Sequence, residues 1–252
     1  MEQITSRKNP LITHIRKLCA DRAYRRTTGE YLGDGTKLLE EAARWNAPLT
    51  AVVVTPGVPR PPGLDVWTVK VPEDVMASIS PAKSPQGALF LAKLPDLTPP
   101  ERLEGGRWLI LDGLQDPGNV GAIWRTADAL GADGLLLVNH CADPFSPKTV
   151  RATMGACFRL PVYELEAEKL PALLARSGLS LYATALREDT ADLKTARLER
   201  CAVVIGSEGS GVSPGLLGAC EQTLKIPMRE RCESLNAAAA ATVVLWEMAR
   251  NI

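Results

Sequence analysis

The chain has 252 residues, 46% of them hydrophobic, which is sufficient for one large or two modest globular domains. Its formal net charge is zero, so the chain as a whole is neither strongly basic nor strongly acidic. Residues 1–26 nevertheless carry seven basic residues against two acidic ones. Such a segment suits either a phosphate-bearing partner or an ordinary solvated helix face.

The cysteines and the apolar runs argue against several other classes of protein. The six cysteines show no C-x-x-C spacing, and with only two histidines they predict no metal site. Scattered cysteines of this kind are typical of reduced core residues. The polar N-terminus does not resemble a signal peptide, and no apolar run approaches the ~18 residues of a membrane helix. We therefore expect a cytoplasmic protein with neither a membrane nor a metal partner.

Residues 1–93 mix short helix and strand patterns and predict a small α/β domain. Apolar residues from Leu11 to Leu18 fall at helical spacing. The other predicted elements are strands over 30–34, 49–55, 66–71 and 86–94 and helices over 36–44 and 72–80. Residues 94–106 contain three prolines and paired glycines, which predict a semi-rigid linker.

Residues 107–252 alternate strands with helices, which predicts an α/β domain with a mainly parallel sheet. The predicted strands are 108–111, 134–138, 162–165, 179–185, 203–205 and 223–226. The predicted helices are 120–130, 146–157, 168–177 and 235–248. The almost wholly apolar strand over 134–138 is typical of a parallel sheet covered on both faces.

A glycine-rich loop follows the strand over 203–205. It places Gly206, Gly209 and Gly211 around one carboxylate, Glu208, and glycine permits close approach of a ligand to the backbone. The spacing matches neither the dinucleotide-binding nor the phosphate-loop pattern, which argues against a nucleotide-cofactor oxidoreductase. Ligands in parallel sheets bind at the carboxyl ends of strands, so this loop is a candidate binding element.

Two further loops carry polar residues beside predicted helices. Ser234 is placed to cap the alanine-rich helix that begins at Leu235. Asn119 stands where an N-cap of the helix over 120–130 would be, and Arg125 follows six residues later. From the residues alone, an ordinary cap and a solvated helix charge are equally open interpretations of Asn119 and Arg125.

Together these patterns resemble the SpoU (TrmH-type) RNA ribose 2′-O-methyltransferases. The matching motifs are Asn119-x-Gly-x-x-x-Arg125, Ile205-Gly-Ser-Glu208-Gly, and Ile226-Pro-Met followed by Ser234-Leu-Asn236. The stretch from Lys148 to Ala156 is similar to a helix of the family. Ile4 to Leu11 and Tyr31 to Glu40 resemble its RNA-binding extension, so the resemblance covers nearly the whole chain.

The resemblance implies a fold, a cofactor and an assembly. The fold would be a SPOUT-type α/β domain with a deep C-terminal trefoil knot, which no periodicity predicts. The cofactor would be S-adenosylmethionine, and the family members are homodimers whose active sites draw on both protomers. The implied cofactor-binding residues are Ala185, Gly206, Ile226, Met228, Ser234 and Leu235.

The resemblance also implies the catalytic residues, which are Asn119, Arg125, Glu208, Ser234 and Asn236. A guanidinium is a poor base because its pKa lies above ~12, so we expect Arg125 to stabilise phosphate and alkoxide charge. Glu208 is expected either to pair with Arg125 or to order the loop that ends at Asn119. The implied substrate is ribosomal RNA. A transfer RNA methyltransferase and a non-catalytic RNA-binding protein on the same fold are the alternatives.

Overall fold

The computed structural model describes residues 2–187, 190–229, 231 and 234–250. The chain forms two compact units, Met1–Pro95 with Phe145–Arg159 and Asp96–Pro144 with Leu160–Ile252. These bounds differ from the predicted division into 1–93, 94–106 and 107–252, because the segment 145–159 belongs to the first unit. The assignment of the two parts to RNA binding and to methyl transfer stays a prediction.

The helices and strands follow in chain order. The strands are β1 (Glu2–Gln3), β2 (Glu30–Asp34), β3 (Leu49–Val54), β4 (Thr68–Lys70), β5 (Ala88–Lys93), β6 (Arg107–Asp112), β7 (Gly134–Val138), β8 (Val162–Glu164), β9 (Ser180–Thr184), β10 (Ala191–Asp192), β11 (Cys201–Gly206) and β12 (Gln222–Lys225). The α-helices are α1 (Pro10–Ala20), α2 (Arg22–Thr28), α3 (Thr36–Arg44), α4 (Glu73–Ala77), α5 (Pro117–Ala129), α6 (Pro147–Thr153), α7 (Leu170–Ser177), α8 (Pro214–Ala219) and α9 (Ala237–Ala249). Short 3₁₀ turns cover Ala156–Phe158, Ala167–Lys169 and Leu193–Thr195.

The first unit is built on a mixed sheet with the strand order β1-β4-β3-β5-β2. β4 is parallel to β1 and β3, whereas β5 is antiparallel to β3 and β2. The apolar face of α1, which includes Ile12, Ile15 and Leu18, packs into a core with side chains from these strands. All three side chains are fully buried, which explains why α1 keeps its helical apolar spacing.

The segment 145–159 packs within this first unit. Phe145 contacts Tyr31 with ring centroids 4.7 Å apart, and Arg159 forms an ion pair with Glu41 at 2.6 Å. The sequence predicts one helix over 146–157, but α6 ends at Thr153 because Met154 and Gly155 adopt left-handed conformations. The segment therefore turns back after two helical turns.

The second unit is built on a fully parallel sheet with the strand order β10-β12-β9-β11-β6-β7-β8. β11 lies between β9 and β6, and its residues Cys201 to Ile205 are buried because helices cover both faces of a parallel sheet. The predicted α/β fold with a mainly parallel sheet is confirmed. The trefoil knot remains a prediction.

The predicted linker packs onto the second unit. Leu97 and Leu103 are buried, and the Leu103 N–H donates to the buried hydroxyl of Ser177 at 2.9 Å. The Glu164 N–H donates to the Leu97 carbonyl at 2.8 Å. The prolines prevent regular structure as predicted, but two buried leucines fix this segment to the sheet domain.

The ends of two helices differ from the predicted ones. α5 begins at Pro117 with Asp116 as its N-cap, since the Asp116 carboxylate accepts the Gly118 N–H at 2.7 Å. α9 begins at Ala237 with Asn236 as its N-cap, rather than at Leu235 with Ser234 as the cap. Asn119 and Ser234 are therefore not N-caps, and both are left for other roles.

Within residues 2–187, 190–229, 231 and 234–250, none of the helices combines the length and apolar character needed to cross a membrane. In that same part of the chain, no group of three or more His, Cys, Asp or Glu side chains is arranged to hold a metal ion.

The described cysteines are free thiols, and Cys232 lies outside the described residues. Burial raises the pKa of Cys141 to about 11 and that of Cys201 to about 12. Because the thiolate is the reactive form, we expect both to be alkylated at least a hundredfold more slowly than a free thiol at pH 8. Mass-spectrometric alkylation rates in native buffer and in urea test this. Equal rates in the two conditions would contradict the burial of these two side chains.

Candidate active site

A cavity of about 220 Å³ opens at the carboxyl ends of β9, β11 and β12. Its walls are mainly apolar, and residues at the ends of the three strands, Thr184, Gly206 and Lys225, are among those that line it. The lining residues are Thr184, Ala185, Leu186, Ile205, Gly206, Ser207, Glu208, Gly211, Leu224, Lys225, Ile226, Met228, Ser234, Leu235, Ala237 and Ala240. All six residues that the sequence analysis assigned to cofactor binding therefore line one cavity.

The glycine-rich loop closes on itself beside this cavity. Ser207 and Gly211 exchange two backbone hydrogen bonds, of 3.1 and 2.9 Å, which fold the loop back over the end of β11. A Cβ atom at Gly206 would lie well inside van der Waals contact with the Gly211 and Val212 backbone. Glycine at 206 is thus required by the close approach of two backbone segments.

Glu208 lies at the centre of a hydrogen-bonded cluster with two asparagines. Its Oε1 atom accepts the side-chain amide of Asn119 at 2.8 Å and that of Asn236 at 2.7 Å. The side-chain amide of Asn236 also donates to the side-chain oxygen Oδ1 of Asn119 at 3.2 Å. The three motifs that the sequence places at positions 119, 208 and 236 are therefore brought together by side-chain contacts.

Asn236 serves this cluster and its own helix at once. Its side-chain oxygen Oδ1 accepts the N–H groups of Ala238 and Ala239 at 3.0 and 3.3 Å, while its side-chain nitrogen Nδ2 donates to Glu208. The Ala237 N–H also points to Glu208, at 3.4 Å. A carboxylate at the start of α9 is favoured by the helix dipole, so the cluster fixes where α9 begins.

Arg125 lies elsewhere in the unit. Its exposed side chain lines a second cavity of about 420 Å³, together with Thr242, Val243 and Trp246 of α9. Six residues along a helix correspond to a rise of about 9 Å, so Arg125 lies more than one helical turn beyond Asn119 along α5. The predicted pairing of Glu208 with Arg125 is not found, because Glu208 is instead bonded to Asn119 and Asn236.

A buried carboxylate that the sequence analysis did not single out supports the same sheet edge. Asp112 ends β6 and is 3% exposed. Its two oxygens accept the Asn139 side-chain amide at 2.7 Å and the Ser213 N–H at 2.6 Å. Asp112 is itself the last residue of a strand, and a carboxylate at the carboxyl end of a parallel strand is the signal that could have identified it. Asp112 thereby joins the loops after β6, β7 and β11.

We expect Asp112→Asn to lower the free energy of unfolding by about 2 kcal/mol. The amide keeps one acceptor but presents an NH₂ group to one of two partly buried donors, and hydrogen bonds to charged groups contribute about 1.5–3 kcal/mol each. Urea unfolding provides the measurement, and the exposed Asp65→Asn is the control. A loss no larger than that of the control would show that Asp112 is not needed to join the loops.

Two protein-family models match separate parts of the chain. The SpoU rRNA Methylase family model matches residues 106–246, and the MRM3-like substrate binding domain model matches residues 9–89. The chain is 31% identical to a 23S rRNA (guanosine(2553)-2′-O)-methyltransferase, RlmP, of Bacillus subtilis. That alignment of 251 residues covers 98% of this chain and 99% of the relative.

Solved structures agree with this relationship. An AdoMet-bound rRNA methyltransferase from Sinorhizobium meliloti superposes with a TM-score of 0.88 and 28% identity, covering 100% of this chain and 98% of that one. The AdoMet complex of the SpoU methyltransferase AviRb from Streptomyces viridochromogenes gives a TM-score of 0.87 and 26% identity, over 97% and 98% of the two chains. The family predicted from the motifs is confirmed, and the chain belongs to the SpoU rRNA methylase family.

Proposed function

We propose that this protein transfers a methyl group from S-adenosylmethionine to a ribose 2′-hydroxyl of ribosomal RNA. The observation that carries the proposal is the cluster of Asn119, Glu208 and Asn236 beside the cavity at the strand ends. Two of the relatives named above are methyltransferases of ribosomal RNA, and one of these acts on a ribose 2′-oxygen. We further propose that the reaction takes place in the cytoplasm.

The cavity suits S-adenosylmethionine by its shape and its chemistry. Apolar side chains such as Leu224, Ile226 and Met228 offer a surface for an adenine ring, and strand-end backbone groups offer hydrogen bonds to its edges. The volume of about 220 Å³ is below that of most ligand sites, so it accommodates part of the cofactor while the rest lies at the opening. When bound, the cofactor supplies an electrophilic methyl group on its sulfonium.

In this reaction the side chains of the protein position the ribose and stabilise negative charge. Methyl transfer to a hydroxyl requires an in-line approach and loss of the hydroxyl proton at or near the transition state. Asn119 and Asn236, held by Glu208, orient the ribose, and Ser234 at the rim offers it a hydroxyl. Arg125 stabilises phosphate and alkoxide charge, and the proton leaves through water or phosphate, because a guanidinium does not deprotonate.

We also propose that the protein is a homodimer in which Arg125 acts at the partner's cofactor cavity. Arg125 does not line the cavity of its own protomer. Trp246 and Val243 of α9 line the same cavity as Arg125, and their exposed fractions are 62% and 39%. Large apolar side chains at the surface favour an interface, and the isologous contact of a twofold dimer would carry both copies of Arg125 across it.

Mixing two inactive variants tests the shared site. We expect Arg125→Ala and Glu208→Ala to be inactive alone, and to recover about a quarter of the wild-type rate after co-refolding in equal amounts. Half of the dimers would be mixed, and one of their two sites would contain only wild-type residues. Rates are measured as tritium transfer from labelled cofactor to RNA. No recovery from a demonstrated heterodimer would show that Arg125 acts within its own protomer.

The activity is tested most directly by calorimetry followed by RNA mapping. We expect one S-adenosylmethionine to bind per protomer, and one ribose methylation in 23S rRNA to be absent from a deletion strain. Methylation of transfer RNA in place of ribosomal RNA would keep the chemistry and change the substrate. Cofactor binding without methylation of either RNA would favour a non-catalytic RNA-binding role.

A further inference from the structure

A third cavity, of about 720 Å³, lies within the first unit. It is formed where the end of β2 and the start of α3 meet the loop 81–86 and the helix α6. The lining residues are Asp34, Gly35, Lys37, Leu38, Pro81, Ala82, Lys83, Ser84, Gln86, Pro147, Lys148, Arg151 and Met154. This volume is within the range of cavities that hold small ligands.

Basic side chains dominate the lining. Lys37, Lys83, Lys148 and Arg151 are all exposed and come from three separate stretches of the chain. Asp34 is the acidic residue among the lining residues, so the lining carries three more positive than negative charges. Convergence of cations from distant stretches on one concave surface raises the local concentration of anions.

Asp34 is engaged with the protein beneath this surface. It is 4% exposed, and its carboxylate accepts the Ser80 hydroxyl at 2.9 Å. The Ser80 hydroxyl oxygen in turn accepts the Ala82 N–H at 3.1 Å, which fixes the turn that carries Lys83. Burial raises the pKa of Asp34, against the effects of Ser80 and Arg151. The acid therefore shapes the floor of the cavity and opposes an incoming anion only weakly.

We propose that this cavity binds a phosphate and the attached nucleoside of the RNA substrate, belonging to a nucleotide other than the one that is methylated. The four basic residues fit phosphate oxygens, and the exposed Met154 and the buried Leu38 and Pro147 offer apolar surface to the nucleoside. The inference rests on the proposed function, because it takes the ligand to be RNA.

The test compares a double variant that lacks two basic residues of the cavity with one that lacks two basic residues elsewhere in the same unit. The variant is Lys83→Gln with Arg151→Gln, and the matched control is Lys70→Gln with Lys93→Gln, which are exposed and do not line the cavity. Each protein is titrated with an in vitro transcript of 23S rRNA at several KCl concentrations. Thermal melts establish that the variants fold, and calorimetry with S-adenosylmethionine reports on the other site.

We expect the cavity variant to bind the transcript about tenfold or more weakly at 0.15 M salt. The slope of the logarithm of its binding constant against the logarithm of the KCl concentration should become shallower by about 1.4–2. Each lost phosphate contact removes about 0.7–1 from this slope. The control should keep both values within about twofold, and cofactor affinity should be unchanged. An unchanged slope in the cavity variant, or an equal loss in the control, would overturn the inference while leaving the proposed function intact.

Titration with uridine 5′-monophosphate tests whether the ligand of this cavity is a free nucleotide rather than RNA. We expect its dissociation constant to exceed that of the transcript by at least about a hundredfold, because one phosphate makes few of the contacts. Equal affinities would overturn the assignment to RNA. If the wild-type protein neither binds S-adenosylmethionine nor methylates RNA, the proposed function fails first and this inference fails with it.

Discussion

Gly206→Ala is expected to destabilise the second unit by about 3 kcal/mol or more and to abolish cofactor binding. The added methyl group would overlap the backbone of Gly211 and Val212, which the paired hydrogen bonds between Ser207 and Gly211 hold over the strand end. Backbone cannot move aside as a flexible side chain can, so the overlap either opens the loop or displaces β11. Either outcome removes one wall of the cavity that Gly206 lines.

The same loop provides the control for this substitution. A Cβ atom at Gly209 meets nothing within 4 Å, so Gly209→Ala should change the unfolding free energy by less than about 0.5 kcal/mol. Urea unfolding and calorimetric titration with S-adenosylmethionine measure the two effects separately. If both alanine variants unfold at the same urea concentration, the close approach at Gly206 does not exist in solution.

Glu208→Ala is expected to lower the rate of methyl transfer by about a hundredfold or more, with little loss of stability. The side chain is exposed, and the Ala237 N–H that its removal releases makes only a long contact of 3.4 Å in the first turn of α9, where a backbone N–H can bond to water instead. It does release the amides of Asn119 and Asn236, which are held by hydrogen bonds of 2.8 and 2.7 Å. Displacement of positioning groups by about 1 Å can cost about a hundredfold in rate.

Two further variants separate geometry from charge at this position. Glu208→Gln keeps one acceptor oxygen and should retain more activity than Glu208→Ala, whereas Glu199→Ala removes an exposed carboxylate elsewhere and should have wild-type activity. Single-turnover rates at saturating cofactor and RNA provide the comparison. A wild-type rate for Glu208→Ala would remove the cluster from the proposed active site.

Much of the local structure of the second unit is predictable because it depends on neighbouring residues. The alternation of apolar strands and helices around Gly134–Val138 determines a parallel sheet, and the loops at the strand ends mark where a ligand site can form. The six cofactor residues, from Ala185 to Leu235, were assigned by family resemblance, and all of them line one cavity.

The ends of helices were predicted less well, because several residues compete for each cap. Asn119 and Ser234 both have good capping side chains, yet Asp116 and Asn236 are the caps. Asn119 is instead turned to Glu208, which lies 89 residues later in the chain. A capping propensity cannot show that a partner distant in sequence is within reach.

The family, the α/β class and the residues that build the candidate site follow from the amino-acid sequence, because motifs and periodicity are local properties of the chain. Which of these residues meet is set by the tertiary structure. It joined Asn119 to Glu208 and Asn236, separated Arg125 from their cavity, and brought Lys148 and Arg151 into the first unit beside Lys83. These arrangements depend on sheet order and on contacts across many residues, which no local pattern specifies.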